Sequence, residues 1–228
     1  MSSPPELSRE SSYTTPRPDV FSMVPATAMT ILDLGCSNGA LGASLRFARE
    51  GRRVVGIERD QAFATEARRH LDEVICADLE QSDWSSPLQG QRFDCIIFAD
   101  VLEHLADPGK QLVKACEFLS KGGVVVVSLP NIRHISALVS IFFKGSFPRR
   151  DRGIFDKTHL RWFTIADARS FVGDAGLKVE AVSYSLRLGD KGGGLLNKIM
   201  TRLFAPFESF FPIREFFAYQ FCLRAAIA

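Results

Sequence analysis

Short apolar runs alternate with amphipathic stretches along most of this chain. Ile31-Leu32-Asp33-Leu34 ends at Gly35, and the segment from Ala40 to Arg49 carries Leu41, Leu45 and Ala48 at helical spacing. The pattern predicts a strand, a glycine loop and a helix. The unit recurs in type though not in sequence: Arg53 to Ile57 reads as a strand, Gln61 to Leu71 as a helix and Val74 to Ala77 as a strand. Phe93 to Ala99 is apolar on both faces, as an inner parallel strand is. A helix follows from Pro108 to Leu119, then a turn at Lys121-Gly122-Gly123 and a strand at Val124 to Val127. Strands alternating with helices in this way wind as parallel βαβ units, so the fold class is a doubly wound, Rossmann-like α/β sheet in a single domain.

The texture changes at Pro130. Residues 130–163 hold Pro130, Gly145, Pro148 and Gly153 with the basic residues Arg149, Arg150 and Arg152, which predicts an insert with one short helix near Ile135 to Phe143. Thr164 can cap a helix from Ile165 to Ala175 with Asp167 in its first turns, and Gly176 ends it. Leu177 to Leu186 alternates as a strand. Gly192-Gly193-Gly194 breaks the chain, residues 195–211 are expected to be helical, and Phe217 to Ile227 to form a final strand. Residues 1–27 are rich in Ser, Pro and Thr without a period, so they are read as a flexible arm, able to fold over a ligand, ahead of a domain spanning 28–228.

Composition narrows the partners. The 228 residues suffice for one well-filled core, and a formal charge of +2 demands no polyanion, so no nucleic-acid partner is expected. The five cysteines lack metal-type or redox-type spacing, which favours a reducing, cytoplasmic setting. The N-terminus lacks the basic-then-apolar order of a signal peptide, and no apolar run approaches the roughly 18 residues that span a bilayer.

The candidate chemistry lies at the predicted strand ends. Gly35 and Gly39 bracket a loop in which a Cβ would hold a ligand away from the backbone, and Asp33 just before it can accept hydrogen bonds from loop amides or from a ligand ammonium. Glu58, followed by Arg59, closes the second strand, where a carboxylate of a doubly wound fold reaches a ribose diol. Asp78 ends the third, placed to accept from an adenine amino group. The combination of Asp33-Leu34-Gly35-Cys36-Ser37-Asn38-Gly39 with these acids resembles the class I S-adenosylmethionine-dependent methyltransferases over roughly residues 28–185. The resemblance implies a seven-stranded sheet with one antiparallel strand. It also implies a methionine moiety held by Asp33, Gly35, Cys36 and Gly39, ribose hydroxyls on Glu58 and Arg59, adenine beside Asp78 and Leu79, and Asp100 at the cofactor's edge. Ser37 departs from the family pattern, where many members have a second glycine.

A nicotinamide dehydrogenase is the alternative on the same fold, since Glu58 would serve its ribose equally, but its GxGxxG loop and a Tyr-x-x-x-Lys pair are missing. A non-catalytic cofactor-binding or membrane-associated accessory protein is a second alternative.

Asp100-Val101-Leu102-Glu103-His104-Leu105 follows the fourth strand, at the edge where open α/β sheets bind ligands. It resembles a segment of small-molecule methyltransferases, ubiquinone-biosynthesis enzymes among them, some of which bind a divalent metal there. Asp100, Glu103 and His104 are a possible ligand set, although the favoured reading is that Glu103 and His104 cap the next helix and line the pocket. Leu129 to His134 and Gly153 to Thr164 resemble bacterial relatives associated with surface polysaccharides, which suggests a saccharide or other hydroxylated acceptor. Its hydroxyl needs a base, and histidine suits neutral pH. His159 is the first candidate, His104 the second and His134 the third, with a loop-fixing bond from His159 to Asp156 or a backbone carbonyl as the structural alternative. Arg161 and the arginine cluster are candidates to clamp a phosphate or carboxylate on the acceptor. Nineteen phenylalanines crowd toward residues 195–228 beside Lys198, Arg202 and Arg214, a composition suited to core packing, a homodimer contact or a membrane surface.

Overall fold

The computed structural model describes residues 17–189, 199, 202–207 and 210–228. Seven strands form one sheet: β1 (Thr30–Leu34), β2 (Arg53–Glu58), β3 (Glu73–Cys76), β4 (Phe93–Ala99), β5 (Leu119–Pro130), β6 (Leu177–Leu186) and β7 (Ala218–Ile227), in the order β3-β2-β1-β4-β5-β7-β6. The first five run parallel, and β7 lies antiparallel between β5 and β6. This is the expected architecture, with its single reversed strand.

Alternate residues explain the layering. Ile31, Val54, Cys95, Ile97, Val124 and Val126 point to one face, where they meet α1 (Pro18–Met23), α2 (Ala40–Ala48) and α3 (Gln61–Ala67) through Val20, Leu45 and Ala64. Leu32, Leu34, Ile96, Phe98, Val125 and Val127 point to the other, against α4 (Pro108–Cys116) and α6 (Ile165–Asp174) through Leu112 and Ala168. Each such side chain, fully buried, contributes roughly 1.5–3 kcal/mol. The predicted Thr164 cap on α6 is present and extends to a capping box, Thr164 and Asp167 bonding reciprocally.

Four expectations shift. The arm contributes α1, whose Val20 and Met23 are buried. The helix begun at Gln61 ends at Ala67, and Leu71 instead fills the space above Gly42 and Gly56, where an added Cβ would lie 2.4 and 2.8 Å from its methyl carbons. Lys121-Gly122-Gly123 is no turn between elements: β5 already begins at Leu119, and its register with β4 slips between Phe93 and Cys95 to absorb the glycines. The final strand begins at Ala218, after a short helix α7 (Phe211–Phe217). Of the helix expected over residues 195–211, positions 195–198, 200, 201, 208 and 209 lie outside the described residues.

The insert is tied to the sheet by Asn131, which is fully buried. Its amide donates to the carbonyls of Glu215 and Ala218, and its N–H to Tyr219 O. α5 (Ile135–Leu138) follows, continuing as a π-turn at Val139–Phe143, close to the short helix expected there. Ala137, Ile154, Phe155 and Tyr219 give the insert a small core of its own.

Candidate active site at the carboxyl edge of the sheet

The loop after β1 is wound tightly by three left-handed residues, Gly35 at φ 80°, Ser37 at 49° and Gly39 at 82°. Gly35 has no alternative, because a Cβ there would stand 2.5 Å from Val101 Cγ2. Ser37 accepts the same backbone region without glycine's freedom, its N–H anchored 2.9 Å from Glu58 Oε2.

Most of the loop's N–H groups are already paired. Gly35 and Cys36 both donate to Ile57 O, Gly39 donates to Cys36 O, and Ala40 donates to Asn38 Oδ1. Cys36 buries its thiol over Gly56, leaving its backbone as the part that faces the loop. Asp33 therefore receives no loop amide. Burial, reinforced by Glu58, pushes its carboxyl up to about 7.

Unpartnered oxygens mark the place where something must bind. Among the described residues, the buried side-chain oxygens without a hydrogen-bond partner are Asp33 Oδ1, Ser37 Oγ and both carboxylate oxygens of Glu103. They stand at the end of β1 (Asp33), on the loop leaving it (Ser37) and on the turn after β4 (Glu103), neighbouring strands in the middle of the sheet. An unsatisfied buried acceptor costs about 1–3 kcal/mol, so this edge is built to meet proton donors or positive charge. A dinucleotide pyrophosphate needs the opposite, free N–H groups, which weakens the dehydrogenase alternative.

The other strand-end acids share that edge. Glu58 Oε1 accepts from Asp60 N at 2.8 Å and retains lone pairs for a ligand. Arg59 beside it is exposed. Asp78 Oδ1 accepts from Glu80 and Gln81 amides, and Leu79 next to it is buried in the core. Asp100, left-handed at φ 58°, is gripped by Arg17 Nη1 at 2.6 Å, Ser128 Oγ at 3.0 Å and Gln220 Nε2. Arg17 also bonds Asp19 and Ser128, so α1 is clamped across the site. Sequence reasoning missed Arg17, since the arm has no period to read.

Beyond Asp100 the chain makes a 3₁₀ turn, Leu102–His104. Glu103 and His104 do not cap the next helix, because Asp107 does so by accepting from Lys110 N. Burial and then Asp100 hold the Glu103 carboxyl well above its usual range. Glu103 O accepts from the amides of Leu160 and Arg161, which staples the insert onto this turn. His104 and His159 thereby meet edge to face, ring centres 4.7 Å apart, and one ligand atom each from Glu103, His104 and His159 falls within 4.8 Å of the others. Such a carboxylate and two imidazoles can receive a proton and are also donors of the kind that suit a divalent cation. Asp100, engaged elsewhere, is not one of the three. Burial lowers both imidazoles below their usual range, His104 further through His159.

The remaining candidates separate. His134 is fully buried, caps α5 through Ser136 and bonds Arg187 O, so it holds the insert rather than facing the site. The arginines do not converge on a common anion position: Arg149 and Arg161 donate to the carbonyls of Lys157 and Ala106, and Arg150 stacks over Phe155. His159 bonds the carbonyl of Ile154 through Nδ1, the loop-fixing alternative, while its ring stays within reach of His104 and Glu103.

Comparison with known proteins agrees with this geometry. The sequence profile of a family described as "Methyltransferase domain" matches residues 26–148. The chain is 30% identical over 172 residues to a ubiquinone biosynthesis O-methyltransferase of Azorhizobium caulinodans, covering 72% of this chain and 65% of that protein. It is 33% identical over 116 residues to the Acinetobacter baylyi protein of the same name, covering 49% and 48%. The chain thus spans about half to two thirds of the length of these relatives. Magnesium protoporphyrin IX methyltransferase from Synechocystis, solved with bound SAH, superposes with a TM-score of 0.62 at 16% identity, covering 97% of this chain and 84% of that one. The O-methyltransferase NcsB1 of neocarzinostatin biosynthesis, solved with SAH and 1,4-dihydroxy-2-naphthoic acid, gives 0.61 at 14% identity, covering 98% and 57%. At these identities the structures speak for the fold.

Proposed function

Because this chain belongs to the family described as "Methyltransferase domain", we propose that it is an S-adenosylmethionine-dependent methyltransferase acting on an oxygen of a small hydroxylated acceptor. One observation carries the reading. Most of the loop amides are already paired, while buried oxygens of Asp33, Ser37 and Glu103 lack partners, an arrangement better suited to a cationic, donor-rich ligand than to a phosphate. The cofactor supplies an electrophilic methyl on a sulfonium.

Asp33 would take the cofactor's ammonium, the backbone of Gly35, Cys36 and Gly39 would border its methionine part, and Arg17 beside Asp100 would offer its carboxylate a cation. Glu58 accepts from the ribose, with Arg59 at the rim, and Asp78 and Leu79 border the adenine. The His104 and His159 pair supplies the base that receives the acceptor's proton, one imidazole taking it while the other packs against it, and Glu103 hydrogen-bonds the acceptor. Alignment supplies most of the rate, since the reaction is an in-line displacement between two held partners.

A saccharide, free or lipid-linked, is the acceptor class in view. Phe142, Phe143, Phe207, Phe210 and Phe211 are all more than half exposed, with Arg133 and Arg214 over Phe211, which supports peripheral contact with an anionic membrane surface, or a homodimer contact. No helix among the described residues is long and apolar enough to cross a membrane. The five free cysteines suit a reducing, cytoplasmic setting.

Calorimetry with S-adenosylmethionine, followed by a screen of quinone-type and cell-envelope extracts for acceptor-dependent release of S-adenosylhomocysteine, tests the reading. Binding with release is expected; no binding overturns it, and binding without release points to the accessory-protein alternative. Flotation with anionic liposomes at low salt tests the membrane contact.

A further inference from the structure

The two histidines are not equally prepared. His104 Nδ1 lies 3.1 Å from Thr158 Oγ1 and 3.3 Å from Thr158 O. Thr158 Oγ1 in turn lies 2.6 Å from Asp156 Oδ1, and the Thr158 N–H donates to the same oxygen at 2.8 Å. Asp156 is 5% exposed, and its own N–H is tied to Gly153 O. A hydroxyl has one proton and a carboxylate has none to give, so the Thr158 proton goes to Asp156 and Oγ1 is left as an acceptor. The Thr158 carbonyl can only accept. Both neighbours of Nδ1 therefore require it to carry the hydrogen.

From this geometry we infer that Asp156 and Thr158 are positioning residues that hold His104 in its Nδ1–H form, leaving Nε2 as the base that meets the acceptor's hydroxyl. The inference rests on the methyl-transfer reading for the identity of that hydroxyl, and on hydrogen-bond bookkeeping alone for the tautomer. When Nε2 takes the proton, the imidazolium keeps its Nδ1–H bond to Thr158, and the Asp156 carboxylate behind it faces the new charge. The bond formed is N–H at Nε2, and the electron pair of the broken O–H bond stays on the acceptor oxygen that attacks the methyl. His159, whose Nδ1 hydrogen goes to Ile154 O, packs edge-on against His104 and is buried, whereas His104 is partly open to solvent. The titratable groups facing His104 are His159 and Asp156 from the insert and Asp100 and Glu103 from the turn after β4.

Nitrogen-15 NMR of the four labelled histidines, with His104 assigned from a His104→Gln variant, reads the tautomer without any acceptor. A protonated Nδ1 and bare Nε2 are expected in the cofactor-bound protein. Thr158→Val keeps the shape and removes the hydroxyl; it should admit the Nε2–H form and lower kcat at least tenfold, with KM and cofactor affinity within about twofold. Thr158→Ser should restore both. A wild-type Nε2–H signal, or a Thr158→Val enzyme with wild-type kcat, overturns the inference. If the Nδ1–H form is present but no acceptor is methylated, the functional reading fails and the tautomer assignment stands. Thermal melts of both variants separate loss of fold from loss of positioning.

Discussion

At the scale of single residues, the strand-end acids are the most informative. A free aspartate titrates near about 3.9, whereas native Asp33 keeps its proton up to about 7. Between those values the native state binds a proton that the unfolded chain has released. Asp33 therefore lowers stability as pH rises through that window, and the loss persists above it. Asp33→Asn should raise the melting temperature of the cofactor-free protein at pH 8, with the gain shrinking toward about pH 4, while calorimetry shows S-adenosylmethionine affinity reduced about tenfold or more. The histidines carry the opposite sign. Their native pKa values lie below the unfolded value of about 6.5, so their contribution is intact above it and is lost as the pH falls through the range below it. His159→Ala should cut turnover about 100-fold with cofactor affinity unchanged, and full activity would end its role. Asp33, Glu58 and Asp78 were legible because each follows an apolar strand, so position along the chain implies position at the sheet edge. Arg17 and the contact of His104 with His159 were not, since both depend on distant segments that only the folded insert and arm bring together.

Among the elements, β4 and β6 end where their apolar patterns end, because burial on both faces or on alternate residues leaves a clear period. Glycines misled twice. The pair in β5 reads as a turn but is a slip in register, and the helix at Gln61 stops early to let Leu71 pack where Gly42 and Gly56 have no side chains. Local propensity cannot report a space that another element leaves open. The loop after β1 and the turn after β4 show the same dependence at closer quarters. Gly35→Ala should destabilise the protein by about 1–3 kcal/mol in chemical denaturation, combining the strain of a left-handed alanine with the overlap on Val101. Val101→Ala in the same chain should recover part of that loss and leave the backbone strain. Equal stability of the single and double variants would show that Val101 is not what constrains the loop.

For the molecule as a whole, the doubly wound class was legible from the alternation of strands and helices, and the reversed strand only from family resemblance, since a strand's pattern carries no direction. β7 pairs with β5 along one edge and with β6 along the other, and its Gln220 reaches Asp100 while Ala218 and Tyr219 accept from Asn131. Deleting residues 218–228 should therefore abolish a cooperative thermal transition and cofactor binding together; a folded, binding-competent remainder would contradict this account of the sheet. The consequence reaches into synthesis. Of the seven strands, β7 emerges last from the ribosome yet belongs inside the sheet, so β6 must wait beside an unfinished neighbour. Until then Asp100 and the insert lack the strand that steadies them, so a nascent chain has little means of holding the cofactor before its sheet is closed.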